Sequence, residues 1–278
     1  MSIFILATPL LIASLGALFT EYTGSLAIFI DGVINLSAFL CFSISVITGN
    51  VFLGFFSALF FCVLAIFILH LFTVKSKANP FLTGLSFNLL ATGLTSSLSS
   101  AWFGTKGVLT ENLGTVPVFT DNSLFFSNFL LSLFTWILLP CIWFFLYKTK
   151  WGTYMRITGK SKAVLHSRGI KWIPYQNISW CFAGLFGAIA GCMYALRLES
   201  FVPNISAGKG WLALAIVYLG RKNVWGVGLA VVVFTSAEQF ANYLQGQAGF
   251  LQIPPTILLA LPYLLALILF SILPNKKD

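Results

Sequence analysis

Charge is what this sequence has least of. Asp, Glu, Lys and Arg make up 8% of its 278 residues, where a soluble domain carries about a quarter, so a water-soluble globular fold is excluded. Acids are scarcer still, with seven Asp and Glu against sixteen Lys and Arg. Two histidines and no H-E-x-x-H leave no grouping that suggests a hydrolytic nucleophile or a zinc site. The cysteines Cys41, Cys62, Cys141, Cys181 and Cys192 all fall inside apolar runs without CxxC or metal-ligand spacing, so they read as small packing residues. Polar gaps reach only some twenty to thirty residues, which leaves no room for a soluble domain. A charged leader and a small-residue cleavage site are both missing at the start, so the first apolar stretch is expected to be a retained helix.

Apolar residues fill the space that charge vacates. They form 58% of the chain, and mean hydropathy is +0.93, which places it among membrane proteins. A bilayer core about 30 Å thick takes roughly 20 apolar residues per helix. That spacing predicts spans near 3–19, 25–47, 51–73, 81–103, 124–147, 177–198, 224–245 and 253–274. A ninth segment, "GWLALAIVYLG" at 210–220, covers only about 16 Å as a helix and needs an irregular extension through "PNISAGK". The fold class expected is therefore all-α, one polytopic transmembrane bundle over 1–278 with about nine segments. Placing the N-terminus outside and the C-terminus inside puts thirteen cations in the cytoplasm and only Lys106, Arg197 and Lys209 outside.

Seven of those thirteen cations lie between Lys148 and Lys171, in a cytoplasmic loop expected over 148–173. Within it "TGKS" resembles the end of a nucleotide-binding loop. A phosphate loop needs a glycine five residues before Gly159, where this chain has Tyr154, and a strand before it. The loop does not bind nucleotide, so the charge has another use. Residues 159–170 are expected to form a short helix bounded by Gly159 and Gly169.

Charged groups at membrane depth cost about 2.5–3.5 kcal/mol each on insertion scales, so Asp31 and Glu238 stand out. Each either fixes packing by pairing with a helix terminus or polar neighbour, or forms a polar wall of a translocation path or a contact between subunits. Asn35, Asn88 and Gln239 read first as helix-packing amides, and Asn35 and Asn88 are also candidates for the path beside Asp31 and Glu238. Gly184, Gly187 and Gly191 in "CFAGLFGAIAGCMYA" allow close helix approach, and His70 is expected in the interior or at an interface. These features fit a carrier, a channel or a transporter subunit driven by another chain. A stand-alone ion-coupled carrier would use Asp31 or Glu238 for coupling.

Four stretches carry a family resemblance over most of the chain. They are "TPLLIASLGALFTEYTGSLAIFIDGVINLSAF" (8–39), "GLSFNLLATGLTS" (84–96), "GTYMRITGKSKAVLHSRGI" (152–170) and "SAGKGWLALAIVYLGRKNVWGVGLA" (206–230), with "LPYLLALILF" (261–270) after the last. Together they resemble the membrane permeases of ABC importers in the ribose, nucleoside and branched-chain amino acid group, closest to the nucleoside and simple-sugar subfamily. Ala27, Phe29 and Asp31 depart from a usual Asn, Gly and Glu, and a bulky Phe29 beside Asp31 is expected to reshape the pathway. The resemblance implies that Gly159, Lys160, Lys162, Ala163, Arg168 and Gly169 belong to a helix that docks on an ATPase. It further implies a second homologous permease, with a heterodimer expected, and an ATP-binding subunit with two nucleotide domains. A substrate-binding lipoprotein or periplasmic protein and the lipid of a bacterial inner membrane complete the set. Nucleic acid is not an expected partner, this chain is expected to bind no cofactor, and ATP is used by the partner. Nucleosides are the first substrate reading, riboflavin the second and simple sugars the third.

Overall fold

The computed structural model describes residues 3–110 and 121–246, together with Leu264. Among the described residues, ten named helices run in the order α1 (Ile3–Tyr22), α2 (Ile30–Thr48), α3 (Val51–Lys75), α4 (Pro80–Phe103), α5 (Asp121–Lys148), α6 (Lys150–Lys160), α7 (Lys162–Ser167), α8 (Ile173–Leu198), α9 (Lys209–Leu219) and α10 (Val224–Gly246). Among the described residues extended pairing is limited to one bridge, Leu109 with Phe201. By length and composition α1, α2, α3, α8 and α10 can each cross a membrane. The α5/α6 pair, bent by 73°, makes a sixth if it is one span. The protein is thus a polytopic helical membrane protein, and the expected segment 253–274 lies outside the described residues apart from Leu264.

Between helices in lipid the hydrophobic effect supplies little drive, so close van der Waals packing must hold the bundle. The sequence provides for it with small residues where helices cross. α8 is the hub and packs on α1, α2 and α3. A Cβ at Gly191 would lie 2.0 Å from Ser37 Oγ and 2.3 Å from Ile34 O, so only glycine lets α8 meet α2 there. Gly187 meets Val33 of α2 and Gly184 meets Ile66 of α3, the close approaches expected of this stretch. His70 is buried edge-on against Trp180 of α8, at 4.8 Å between ring centres.

α1 is buried along nearly its whole length, while α3 and α4 sit outside it. On α3 the buried residues Gly54, Ala58, Cys62, Ile66 and His70 recur every fourth position, forming one inward stripe. Phe52, Phe56, Phe60 and Phe67 face outward, as suits a helix bordered by lipid or another chain. Asn50 caps α3 by accepting from Phe52 N at 2.9 Å, and Asn79 caps α4 from Phe81 N at 2.9 Å with Pro80 at the first helical position. The bend between α5 and α6 has a local cause. Thr149 is extended and caps α6 through Gly152 N, and Gly152 lies so close to Phe145 and Leu146 that no side chain fits.

Candidate functional site

The short helix α9 organises the polar groups of the interior. Its 11 residues rise about 16 Å, half a bilayer core, and the N–H groups of its first turn need acceptors from outside the helix. Irregular backbone at such depth is tolerated only where protein groups satisfy it. Asp31 does so: its Oδ1 accepts from Gly210 N at 3.0 Å and its Oδ2 accepts from Ser206 Oγ at 3.1 Å. A carboxylate at the positive end of a helix is also favoured by the helix dipole. Asn35, one turn further along α2, holds the approach to α9. It accepts from Ser206 N at 3.0 Å and donates to Ser206 Oγ at 3.0 Å and to Asn204 Oδ1 at 3.3 Å.

Asn88 of α4 secures the other irregular stretch, 23–29, between α1 and α2. Its Nδ2 donates to Ile28 O at 2.8 Å and its Oδ1 accepts from Gly32 N at 2.8 Å. Both ends of this amide are therefore engaged in joining α4 to the start of α2. Phe29 corrects an expectation. Its ring does not stand open beside Asp31 but is fully buried against Trp180, at 4.7 Å between ring centres. The Trp180 indole donates to Ser25 Oγ at 2.9 Å, which fixes the ring that Phe29 packs on.

Glu238 reaches the same helix start from α10. It stands 3.9 Å from Lys209, the first residue of α9, so both membrane carboxylates end on neighbouring residues, Lys209 and Gly210. The pair borders a cavity of about 240 Å³ whose polar wall includes Arg197, Gln239 and Asn242 as well. Lys209 Nζ also lies 4.6 Å from the centre of the Tyr194 ring. Arg197 has a structural partner. Pro9 cannot donate to Ile5 O inside α1, and the Arg197 guanidinium donates to that freed carbonyl.

The basic segment takes a different form from the one expected. Gly159 is not a helix boundary but belongs to the last turn of α6, and the short helix α7 covers Lys162–Ser167 only. The break falls at Ser161, whose extended backbone cannot continue α6. Gly169 ends the unit with φ +70°, and Ile170 N and Gly169 N close it on Leu165 O and His166 O. Leu165 is buried and anchors α7, whereas Lys160, Lys162, Ala163 and Arg168 are exposed. Lys162 Nζ stands 4.0 Å over the Trp172 ring.

Sequence reasoning found Asp31, Asn35, Asn88 and Glu238 but not what they hold. Ser206, Asn204 and Gly210 were visible only as an irregular "PNISAGKG" ahead of a helix too short to span. The signal that could have named them is that length deficit, since a half-helix needs acceptors for its buried N-terminus. Among the described residues, no group of three His, Cys, Asp or Glu is placed to hold a metal ion.

A multi-helix membrane bundle with one helix too short to span and an exposed basic segment is the architecture these contacts define. The chain belongs to the family described as the branched-chain amino acid transport system / permease component, which matches residues 1–272. It is similar to a putative glucose ABC transporter permease protein, TsgC13, of Haloferax volcanii, at 28% identity over 77% of this chain and 68% of the relative. The nucleoside ABC transporter permease protein NupC of Lactococcus lactis is 25% identical over 98% of this chain and 90% of its own. The guanosine ABC transporter permease protein NupQ of Bacillus subtilis shows 25% identity with the same coverage, 98% and 90%. No solved structure matches this chain.

Proposed function

We propose that the chain is one permease subunit of a bacterial ABC importer for nucleosides, forming half of its translocation pathway in the inner membrane. The observation that carries this reading is the similarity to nucleoside and guanosine permeases along 98% of the chain. In this reading nine membrane segments place the N-terminus outside and the C-terminus inside. α6 and α7 then lie in the cytoplasm and dock on an ATP-binding subunit, which hydrolyses ATP for transport. A second, homologous permease and a substrate-binding lipoprotein or periplasmic protein complete the importer.

Among the described residues bordering the cavity, Glu238 and Lys209 form an ion pair open to a solute. Both oxygens of Asp31 and both ends of Asn35 and Asn88 are engaged internally, so these three position α9 and α2 beside the path. A cavity lined by amides, a carboxylate and two cations suits a hydroxyl-rich solute that exchanges hydrogen bonds along its way. Simple sugars are the second reading, favoured by the Haloferax relative. No such support exists for riboflavin. Tyr194 is the aromatic among the described residues lining this cavity, while Phe52, Phe56, Phe60 and Phe67 of α3 face outward.

Uptake of labelled guanosine, cytidine and glucose by cells lacking this gene tests the assignment. Loss of nucleoside uptake with glucose uptake intact is expected. The reverse selects the sugar reading, and normal uptake of all three refutes both.

A further inference from the structure

Three segments far apart in sequence meet at the inner end of α1. Glu21, in the last turn of α1, stands 2.6 Å from Lys222 in the turn between α9 and α10. Its second oxygen accepts from the Tyr218 hydroxyl, in the last turn of α9, at 3.1 Å. The neighbouring Tyr22 hydroxyl donates to Lys222 O at 2.5 Å and meets the Tyr147 hydroxyl of α5 at 3.0 Å. Arg156 of α6 lies 4.4 Å over the Tyr147 ring. The backbone joins the same cluster. Gly159 of α6 packs so closely on the α1–α2 turn that a Cβ there would fall 2.4 Å from Tyr22 O.

The α9–α10 turn has an unusual shape that this cluster holds. Arg221 and Lys222 both have positive φ, +52° and +54°, in a region that non-glycine residues rarely enter. Such backbone persists where surrounding contacts over-determine it, and Glu21 and Tyr22 grip Lys222 by its ammonium and its carbonyl. Only seven acids occur in the whole chain, and Glu21 spends both oxygens here, 10% exposed. α9 is thereby tied at each end: to Asp31 and Asn35 by its N-terminal approach, and to Glu21 and Tyr22 by its C-terminal turn.

We propose that Glu21, Tyr22 and Lys222 form a coupling latch that carries displacement of the α6–α7 segment into α9. The inference rests on the reading that α6–α7 docks on the ATPase. A push on α6 reaches the α1–α2 turn through Gly159 and the Tyr147 end of α5 through Arg156. The latch passes it to the turn after α9. Because α9 begins at Lys209 and is held there by Asp31, the same movement shifts the polar groups beside the cavity. These are positioning residues, since none of them borders that cavity.

The test uses the complete importer, with its second permease, ATPase and binding protein, in proteoliposomes. Substrate moved per ATP hydrolysed is compared for the wild type, Glu21→Gln, Lys222→Met and the exchange Glu21→Lys with Lys222→Glu. Each single change is expected to lower that ratio about tenfold while ATP hydrolysis continues, the size of a typical coupling between two sites. The exchange is expected to recover most of it. Tyr218→Phe, which removes one hydroxyl, gives a milder variant in case the others assemble poorly. An unchanged ratio in assembled Glu21→Gln overturns the latch. Parallel loss of transport and hydrolysis, with no recovery in the exchange, also overturns it and leaves a structural role. Ala163→Arg, made in the same preparation, tests docking separately, because an unchanged ratio there overturns the reading on which the latch rests.

Discussion

Replacing Asp31 by alanine removes the acceptor of the Gly210 N–H and one acceptor of the Ser206 hydroxyl, and the two losses differ in weight. Ser206 has a second acceptor at hand, Asn204 Oδ1 at 3.3 Å, so its hydroxyl can turn to it. Gly210 is buried, and losing the acceptor of its N–H costs about 1–3 kcal/mol. Loss of the negative charge at the start of α9 adds about 1 kcal/mol. The total is roughly 2–4 kcal/mol, a melting shift of roughly 5–15 °C by the scaling of soluble domains. Asp31→Asn keeps an oxygen toward Gly210 and offers its amide to Ser206, so it loses only the charge contribution and about 2–4 °C. Thermal aggregation of the detergent-extracted chain, followed by size-exclusion fluorescence, separates the two variants. If Asp31→Ala and Asp31→Asn shift by the same small amount, under about 2 °C, then Asp31 does not hold α9 and the reasoning fails.

Four further variants have outcomes set by their surroundings. Gly191→Ala drives a Cβ onto Ile34 O, which cannot move without α2, and should cost roughly 1–3 kcal/mol in the same melting assay. Gly184→Ala meets only the Ile66 side chain at 3.1 Å and should be milder; equal effects would contradict the packing account. Ala163→Arg, at an exposed position of α7, should leave insertion and folded yield intact while abolishing ATP-driven uptake, and unchanged uptake would remove the docking role. Arg221→Cys in a Cys141→Ser background should react with a membrane-impermeant maleimide only from the cytoplasmic side, and labelling from outside alone would refute the nine-segment orientation.

The long helices were legible in the sequence, because apolar runs of some twenty residues leave few other structures. The packing glycines of α8 were legible too, since a run of small residues in an apolar helix has one common use. What could not be read was pairing at a distance. Nothing local to Pro9 says that Arg197, 188 positions on, will take the carbonyl it frees. Likewise the basic run at 148–171 did not show its break at Ser161 or the close fit of Gly159 against Tyr22. Phe29 misled for a related reason. Its neighbour Asp31 points toward α9, yet Phe29 is two residues earlier, before α2 is established, and its ring turns to Trp180 instead.

Asp31 and Glu238 looked equivalent in the sequence, as two carboxylates at membrane depth, but their surroundings assign them different work. Asp31 has both oxygens committed to α9, so a passing solute would have to break bonds that hold the helix in place. Glu238 has one partner at 3.9 Å, with its side chain 36% exposed and that of Lys209 26% exposed, and the pair borders the cavity. An open pair of this kind contributes only about 0–1 kcal/mol to stability, so neutralising it leaves the fold standing. Glu238→Gln should therefore melt within a degree or two of the wild type while raising the KM for uptake several-fold, the reverse of the Asp31→Ala pattern. Lys209→Met should resemble it, because the same pair is broken from the other side. Uptake kinetics in vesicles, measured beside the melting curve of each variant, decide the matter. Wild-type KM in Glu238→Gln would place the path elsewhere and leave the two carboxylates with one structural task between them.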